Sequence, residues 1–301
     1  MGPHNWRRCA RARADQDQPN HRGGRLMTAR RIVILALKYT ALSIAALVTM
    51  SPLIWMASAT VRPPERFYDY DFFPPLDDWS LESYRSLFRS INFFAYLLNS
   101  VFVAGVTVVA QILLASMGGF ALAKYRFAGK KLVMLLMLST MVIPAEVMLA
   151  PQYQIVQALG LMDTTAGLIL PTAVSVFGVF LFRQAILGVP DELLQAARID
   201  GCADFTIYWR IALPLVRPMV GAFCLIAFMG SWNSFVWPII VLHRDEMFTL
   251  PIGVSKMIGV YREDYGAMMA GTFLSILPVI ALFFALQREF VSGLTSGAVK
   301  G

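Results

Sequence analysis

Apolar residues gather in six long runs along this chain, at residues 32–59, 93–123, 132–151, 165–187, 219–242 and 267–286. Each run is close to or above the ~20 residues that an α-helix needs to cross a bilayer. Polar and charged residues collect in the joints between them. The pattern predicts an all-α integral membrane protein with six transmembrane helices. Pro52, Pro144, Pro171, Pro238 and Pro278 fall inside the runs, which membrane helices tolerate when neighbours or a cavity satisfy the freed carbonyls. Composition agrees with this reading. With 57% hydrophobic and 15% charged residues and a mean hydropathy of +0.60, the chain is too apolar for a water-soluble domain of its size.

Charge adds orientation. Residues 1–31 carry Arg7, Arg8, Arg11, Arg13, Arg22, Arg25, Arg30 and Arg31 against Asp15 and Asp17, and the joint after the second run holds Lys124, Arg126, Lys130 and Lys131. In the joint after the first run, Arg62, Arg66, Arg85 and Arg89 are outnumbered by Glu65, Asp69, Asp71, Asp77, Asp78 and Glu82. The positive-inside rule places the basic joints and both termini in the cytoplasm. The net charge of +7 is therefore read as a topology signal rather than a nucleic-acid footprint. Residues 1–31 are expected to be a basic, disordered cytoplasmic tail, 32–290 the six-helix domain, and 291–301 a cytoplasmic C-terminal tail. Residues 1–26 show no apolar period, which makes Met27 an alternative start. A secretory signal ending at Ala57-Ser58-Ala59 fits less well, because the run is longer than a signal core, contains Lys38 and is followed by five more.

One half-polar segment, residues 191–218, reads DELLQAARIDGCADFTIYWRIALPLVRP between two apolar runs. Pro190 stops what precedes it, Asp191 suits a helix cap, and Glu192 places negative charge in a first turn. Gly201 ends that helix at little cost. A second helix is predicted from Asp204 through Phe205, Ile207 and Ile211 until Pro214 breaks it. Ala196 and Ala197 are expected to leave one face flat enough for another protein's groove to approach. A DNA-binding helix-turn-helix is excluded, since nearly all of the chain lies in lipid and no basic stripe adjoins the segment.

Here the sequence is similar to a known family. Ala196-Ala197, then Gly201, then Ile211-Ala212-Leu213-Pro214 resembles the cytoplasmic coupling loop of permease subunits of bacterial ABC importers. Ile199-Asp200-Gly201 and the ending from Gly293 to Gly301 resemble the sugar-importing branch, specifically the second permease of maltose-type systems; the similarity covers residues 38–301. The family usually has glutamate where this chain has Gln195, an amide that keeps hydrogen bonding but loses any ion pair with an ATPase. The resemblance implies a type I ABC importer permease architecture in a bacterial cell membrane, with a coupling helix in residues 190–218. It implies a second homologous permease, an ATPase dimer that uses ATP and Mg, and an extracytoplasmic sugar-binding protein, expected to be lipid-anchored. Glu192, Gln195, Ala196, Ala197, Asp200, Gly201, Ile211, Leu213 and Pro214 would couple to the ATPase. Thr295, Gly297 and Lys300 of the tail would reach it too.

A substrate path should be lined by the polar groups that lipid tolerates least. Glu146, between Pro144 and Pro151, falls in the outer half of the third run. In the fifth, Ser231, Trp232, Asn233, Ser234 and Trp237 put two aromatics and an amide together, a mix that suits a sugar. Phe248-Thr-Leu-Pro251, Tyr261 to Tyr265 and residues 72–84 are expected in outer loops that meet a substrate-delivery protein. No catalytic constellation or metal site is expected: His4, His21 and His243 are scattered, and Cys9, Cys202 and Cys224 form no motif. No Gly, four residues, Gly-Lys-Ser/Thr occurs, so the chain is expected to bind no nucleotide itself. Neutral oligosaccharide is the expected substrate. Glycerol phosphate or amino sugar is the alternative within the family, and an ion-coupled secondary transporter the alternative outside it.

Overall fold

A computed structural model describes residues 21–69, 72–259 and 262–296 of the chain. The predicted tail residues 1–20, with Gly297 and Lys300 at the other end, lie outside the described residues.

The first helix, α1 (His21–Ala59), is continuous over 39 residues, and up to Met56 it forms a compact unit of its own. It begins ahead of the predicted residue 32, so residues 21–31 are helical where an irregular tail was expected. Arg, Leu, Met and Ala are good helix formers, and extending an existing helix needs no new nucleus.

The second unit starts at Ala57. Two 3₁₀ turns, Pro64–Arg66 and Leu76–Asp78, lead to α2 (Glu82–Ser90) and then to the 32-residue α3 (Phe93–Lys124). After α3 the apolar runs do not form straight rods. The third is α4 (Lys130–Thr140), a 3₁₀ turn at Ala145–Met148 and α5 (Leu149–Ala158), bent by 95°. Pro144 accounts for the break, because it cannot donate to the helix ladder and disfavours helical torsions at the residue before it. The fourth run is α6 (Thr165–Ile169), a 3₁₀ turn at Leu170–Thr172 containing Pro171, and α7 (Val176–Leu187), bent by 48°.

The segment after α7 forms α8 (Asp191–Ile199) and α9 (Asp204–Ile207), which continues through a π turn at Tyr208–Ala212 into α10 (Leu213–Leu215). The fifth run, predicted as one helix over 219–242, is broken. α11 (Arg217–Trp232) stops at Asn233 and α12 (Val236–Val241) resumes after it. After α13 (Leu250–Ser255) come the two-residue strands β1 (Ile258–Gly259) and β2 (Arg262–Glu263), antiparallel, and the last helix α14 (Tyr265–Ser296). Three helices among the described residues are each long and apolar enough to cross a membrane: α1 from Arg31, α3 and α14. Three bent pairs pass the same test when taken together.

Two apolar cores run along α3. One holds Leu87, Tyr96, Val103, Trp232, Trp237 and Leu250. The other holds Ala115, Phe120, Phe182, Ile186, Tyr208 and Phe223, with Phe228 packed against both. In the second core a Cβ on Gly119 would stand 2.7 Å from that of Phe182 and 2.8 Å from the Arg183 nitrogen, so glycine lets α3 and α7 meet backbone to backbone. Side chains such as Leu98, Phe102 and Val109 on the other face of α3 are exposed, as contact with lipid tails requires.

Candidate functional site

The hairpin of α8, α9 and α10 is held to α3 by polar bonds. The Lys124 ammonium, 6% exposed, donates to the Val189 carbonyl and to Asp191 Oδ1, each at 2.6 Å. That hydrogen bond, reinforced by the lysine's charge, holds the Asp191 carboxyl below the usual carboxylate range. Ser116 and Tyr208 share a buried hydrogen bond of 2.7 Å, and Leu194, Ala197 and Ile207 fill the apolar core beneath. Gly201 turns the chain at φ +81°, a left-handed torsion that only glycine adopts cheaply. Across the turn Arg198 Nε donates to Asp204 Oδ1 at 3.2 Å. Burial and a hydrogen bond to Asp204 push the Tyr125 phenol up.

Of the residues expected to face a partner here, Glu192, Gln195, Ala196, Asp200, Gly201 and Pro214 are exposed, while Ile211 and Leu213 are half-buried. Ala197 is turned inward, so the two alanines do not share one open face. The helix also does not stop at Pro214 but runs to Leu215. The π turn widens it just ahead of the proline, which has no N–H to offer and would otherwise press on the carbonyl four residues back. The sharp bend, 81°, follows at Val216. Two exposed apolar side chains were not singled out from the sequence as partner-facing. Ile199 is 87% and Phe205 65% exposed on the hairpin.

A cavity of about 320 Å³ lies where the two cores meet. Ser100, Val103, Thr107 and Gln111 line it from α3, at the spacing of one helix face. Thr172 and Ser175 come from the break between α6 and α7 and Phe177 from the first turn of α7; Phe223, Ser231, Ser234 and Trp237 come from α11, α12 and the break between them. Gln111 Nε2 donates to the Thr172 carbonyl at 2.6 Å, satisfying a group that the helix break exposes. The polar stripe of α3 stood in the sequence as three polar residues in an apolar run and was missed.

The five residues predicted for the fifth run are split by its break. Ser231, Ser234 and Trp237 line this cavity. The Trp237 indole N–H is committed to the Gly167 carbonyl at 3.2 Å, so Trp237 offers its ring alone. Trp232 and Asn233 border a different depression, next to Met268 and Thr272 of α14. Trp232 is buried there, donating to the Ser275 carbonyl at 3.2 Å and stacked on Phe228 at 5.3 Å. Glu146 is exposed in the turn between α4 and α5 and lines neither. The expected outer-loop stretch 248–251 is also corrected: Phe248, Thr249 and Leu250 are buried, because Ser100 Oγ accepts from the Leu250 N–H at 2.7 Å and draws the start of α13 against α3. Leu76 and Trp79 of the 72–84 segment are exposed. In the 261–265 stretch, Tyr261 lies outside the described residues. Thr295 closes α14 next to Ser296. Among the described residues no His, Cys, Asp and Glu group could hold a metal.

Residues 111–295 match the family model described as binding-protein-dependent transport system inner membrane component. The arabinooligosaccharides transport system permease protein AraQ of Bacillus subtilis is 43% identical over 223 residues, covering 74% of this chain and 79% of the relative. The lactose transport system permease protein LacG of Rhizobium radiobacter is 32% identical over 277 residues, 91% of this chain and 100% of that one. Among solved structures, a chain of a bacterial ABC transporter involved in the import of the acidic polysaccharide alginate superposes with a TM-score of 0.75 at 23% identity, over 86% of this chain and 96% of that chain.

Proposed function

This chain belongs to the family of binding-protein-dependent transport system inner membrane components, and from that premise we propose that it is the permease subunit of an ATP-driven ABC importer for a carbohydrate. It supplies half of the translocation path, and a second, homologous permease supplies the rest. ATP hydrolysis, with its Mg, belongs to a separate ATPase pair that engages the hairpin from α8 to α10. An extracytoplasmic sugar-binding protein delivers the substrate. α1, α3, α4–α5, α6–α7, α11–α12 and α14 make six passages, with both termini and the hairpin on the cytoplasmic side, as the distribution of Lys and Arg favours.

The observation that carries this reading is the two-sidedness of the hairpin. Lys124, Ser116 and the core under Leu194 and Ala197 fix one side to the chain's own helices, while Ile199 and Phe205 stand in the open beside Glu192, Gln195 and Asp200. Such exposed apolar groups on a rigid, polar-rimmed element suit a partner's groove. A push there moves α7 and α11 directly, since the hairpin joins their ends. The neutral Gln195 leaves this contact to hydrogen bonds and apolar burial rather than an ion pair.

Purification of the tagged chain from its native membrane in mild detergent, with mass spectrometry of what accompanies it, tests the reading. An ATPase, a second permease and a binding protein should be recovered. Recovery of this chain alone, under conditions that keep other membrane complexes intact, would favour a self-sufficient carrier instead.

A further inference from the structure

We infer that the cavity between α3, the α6–α7 break and α11–α12 is a subsite for a neutral, hydroxyl-bearing sugar ring, and that Thr107 and Thr249 are the groups that bind it. The inference rests on the importer reading and deepens it. It assigns the site to residues of this chain and excludes acidic sugars from it.

Two buried hydroxyls carry the inference. Thr107 is 1% and Thr249 5% exposed; both line the cavity, and neither Oγ1 has a hydrogen-bond partner among the described residues. Each departs from what its position normally gives. A helical threonine usually bonds a carbonyl of the preceding turn, as Thr172 does to Leu168 at 3.2 Å and Thr272 to Met268 at 2.8 Å; Thr107 makes no such bond. Thr249 occupies the N-cap of α13 but makes no side-chain cap bond, and Pro251, two residues on, has no N–H to offer it. A buried hydroxyl left unpaired costs free energy, so two that line the same cavity mark places where a ligand supplies the missing bonds.

Charge defines the ligand's class. Among the described residues no Asp, Glu, Lys, Arg or His lines the cavity, so an acidic sugar would enter with no counter-charge in a low-dielectric site. Two N–H groups at the nearby helix starts are taken as well, that of Gly178 by Ser175 Oγ at 3.0 Å and that of Leu250 by Ser100 Oγ. What is left is hydroxyls able to donate and accept, with the rings of Phe177, Phe223 and Trp237 to cover the apolar face of a sugar. Thr107 stands near the middle of the 32-residue α3, about 21 Å along it from Phe93 at 1.5 Å per residue, the depth at which a translocation path needs a foothold.

The test uses the full complex in proteoliposomes, with its binding protein and ATP, supplied in turn with arabinotriose and lactose as neutral probes and an alginate trisaccharide as the acidic one. At least one neutral sugar should enter and the alginate trisaccharide should not. The isosteric pair Thr107→Val and Thr249→Val should raise KM for the neutral sugar about tenfold or more, the loss of two neutral hydrogen bonds. Its melting temperature should be unchanged or higher, because the hydroxyls removed had no protein partner. Gly230→Leu should abolish uptake with assembly intact, since a Cβ at Gly230 meets open space and the longer chain fills the cavity. Normal uptake by these variants, or a fall in melting temperature of the valine pair, overturns the subsite and leaves the importer standing. Uptake of alginate but of neither neutral sugar overturns its neutral character. A wild-type complex that imports none of the three overturns the importer reading and the subsite with it.

Discussion

Lys124 shows how one side chain ties the membrane part of the chain to the hairpin. Its stem is buried along α3, and its ammonium bonds the last turn before α8 and the first residue of α8 together. Lys124→Met keeps the stem and removes the charge, leaving the Val189 carbonyl and the Asp191 carboxylate without their donor. The expected result is an assembled complex in which ATP hydrolysis continues while uptake falls severalfold, measured side by side in proteoliposomes. The pH dependence follows from the direction of the Asp191 shift. A carboxyl whose folded pKa is depressed contributes stability that is complete above its unfolded value, ~3.9, and is lost only as the pH falls through the lower folded one. The wild-type hairpin should therefore couple equally well from about pH 6 to 8 as far as this pair is concerned, and an Asp191→Asn variant should couple less well throughout that range. Coupling that titrates near neutrality would mean that a different group controls the joint.

At the scale of elements, the turn at Gly201 and the breaks in the helices carry the account. A Cβ at Gly201 meets nothing within 4 Å, so the penalty for substitution there is the left-handed backbone alone, about 1–2 kcal/mol for an ordinary residue and least for asparagine. Gly201→Val should fold and assemble, yet hydrolyse ATP without proportionate uptake, because the strained turn re-aims α8 against α9. Gly201→Asn should transport close to normally. If both variants transport alike, the turn's conformation is not part of coupling. The start of the hairpin was legible from Pro190 and its turn from Gly201, since breakers and turn formers act locally, but Asp191 does not cap α8: Pro190 holds the cap position, no side chain bonds there, and the Asp191 carboxylate meets Lys124 instead. The helix breaks were half legible. Pro144, Pro171 and Pro238 were in plain view, but a proline shows only that a hydrogen bond is missing, and what satisfies the freed carbonyl, such as the Trp237 indole at Gly167, four residues before Pro171, comes from a residue far away in the chain. For the same reason the group from Ser231 to Trp237 looked like one site. A break at Asn233 that sends Trp232 and Trp237 to different surroundings depends on their partners Ser275 and Gly167.

For the whole molecule, the apolar runs and the basic joints carried the membrane class, because hydropathy and charge bias act on long stretches and survive local error, while the family resemblance rested on the motif from Ala196 to Pro214 and the ending from Gly293. The substrate cavity was the least legible part. Its stripe of Ser100, Thr107 and Gln111 is weak against an apolar background, and Thr249 joins it only because α13 docks on α3. The central claim is that the hairpin is the surface through which an ATPase drives this chain, and site-directed cross-linking tests it most directly. With Cys9, Cys202 and Cys224 replaced by serine, a cysteine placed at exposed Ile199 or, in a second variant, at exposed Leu76 is treated with a short bifunctional thiol reagent in native membranes. The account predicts an ATPase adduct from Ile199→Cys and none from Leu76→Cys. An ATPase adduct from Leu76→Cys, or none from Ile199→Cys while the ATPase still co-purifies, would contradict it.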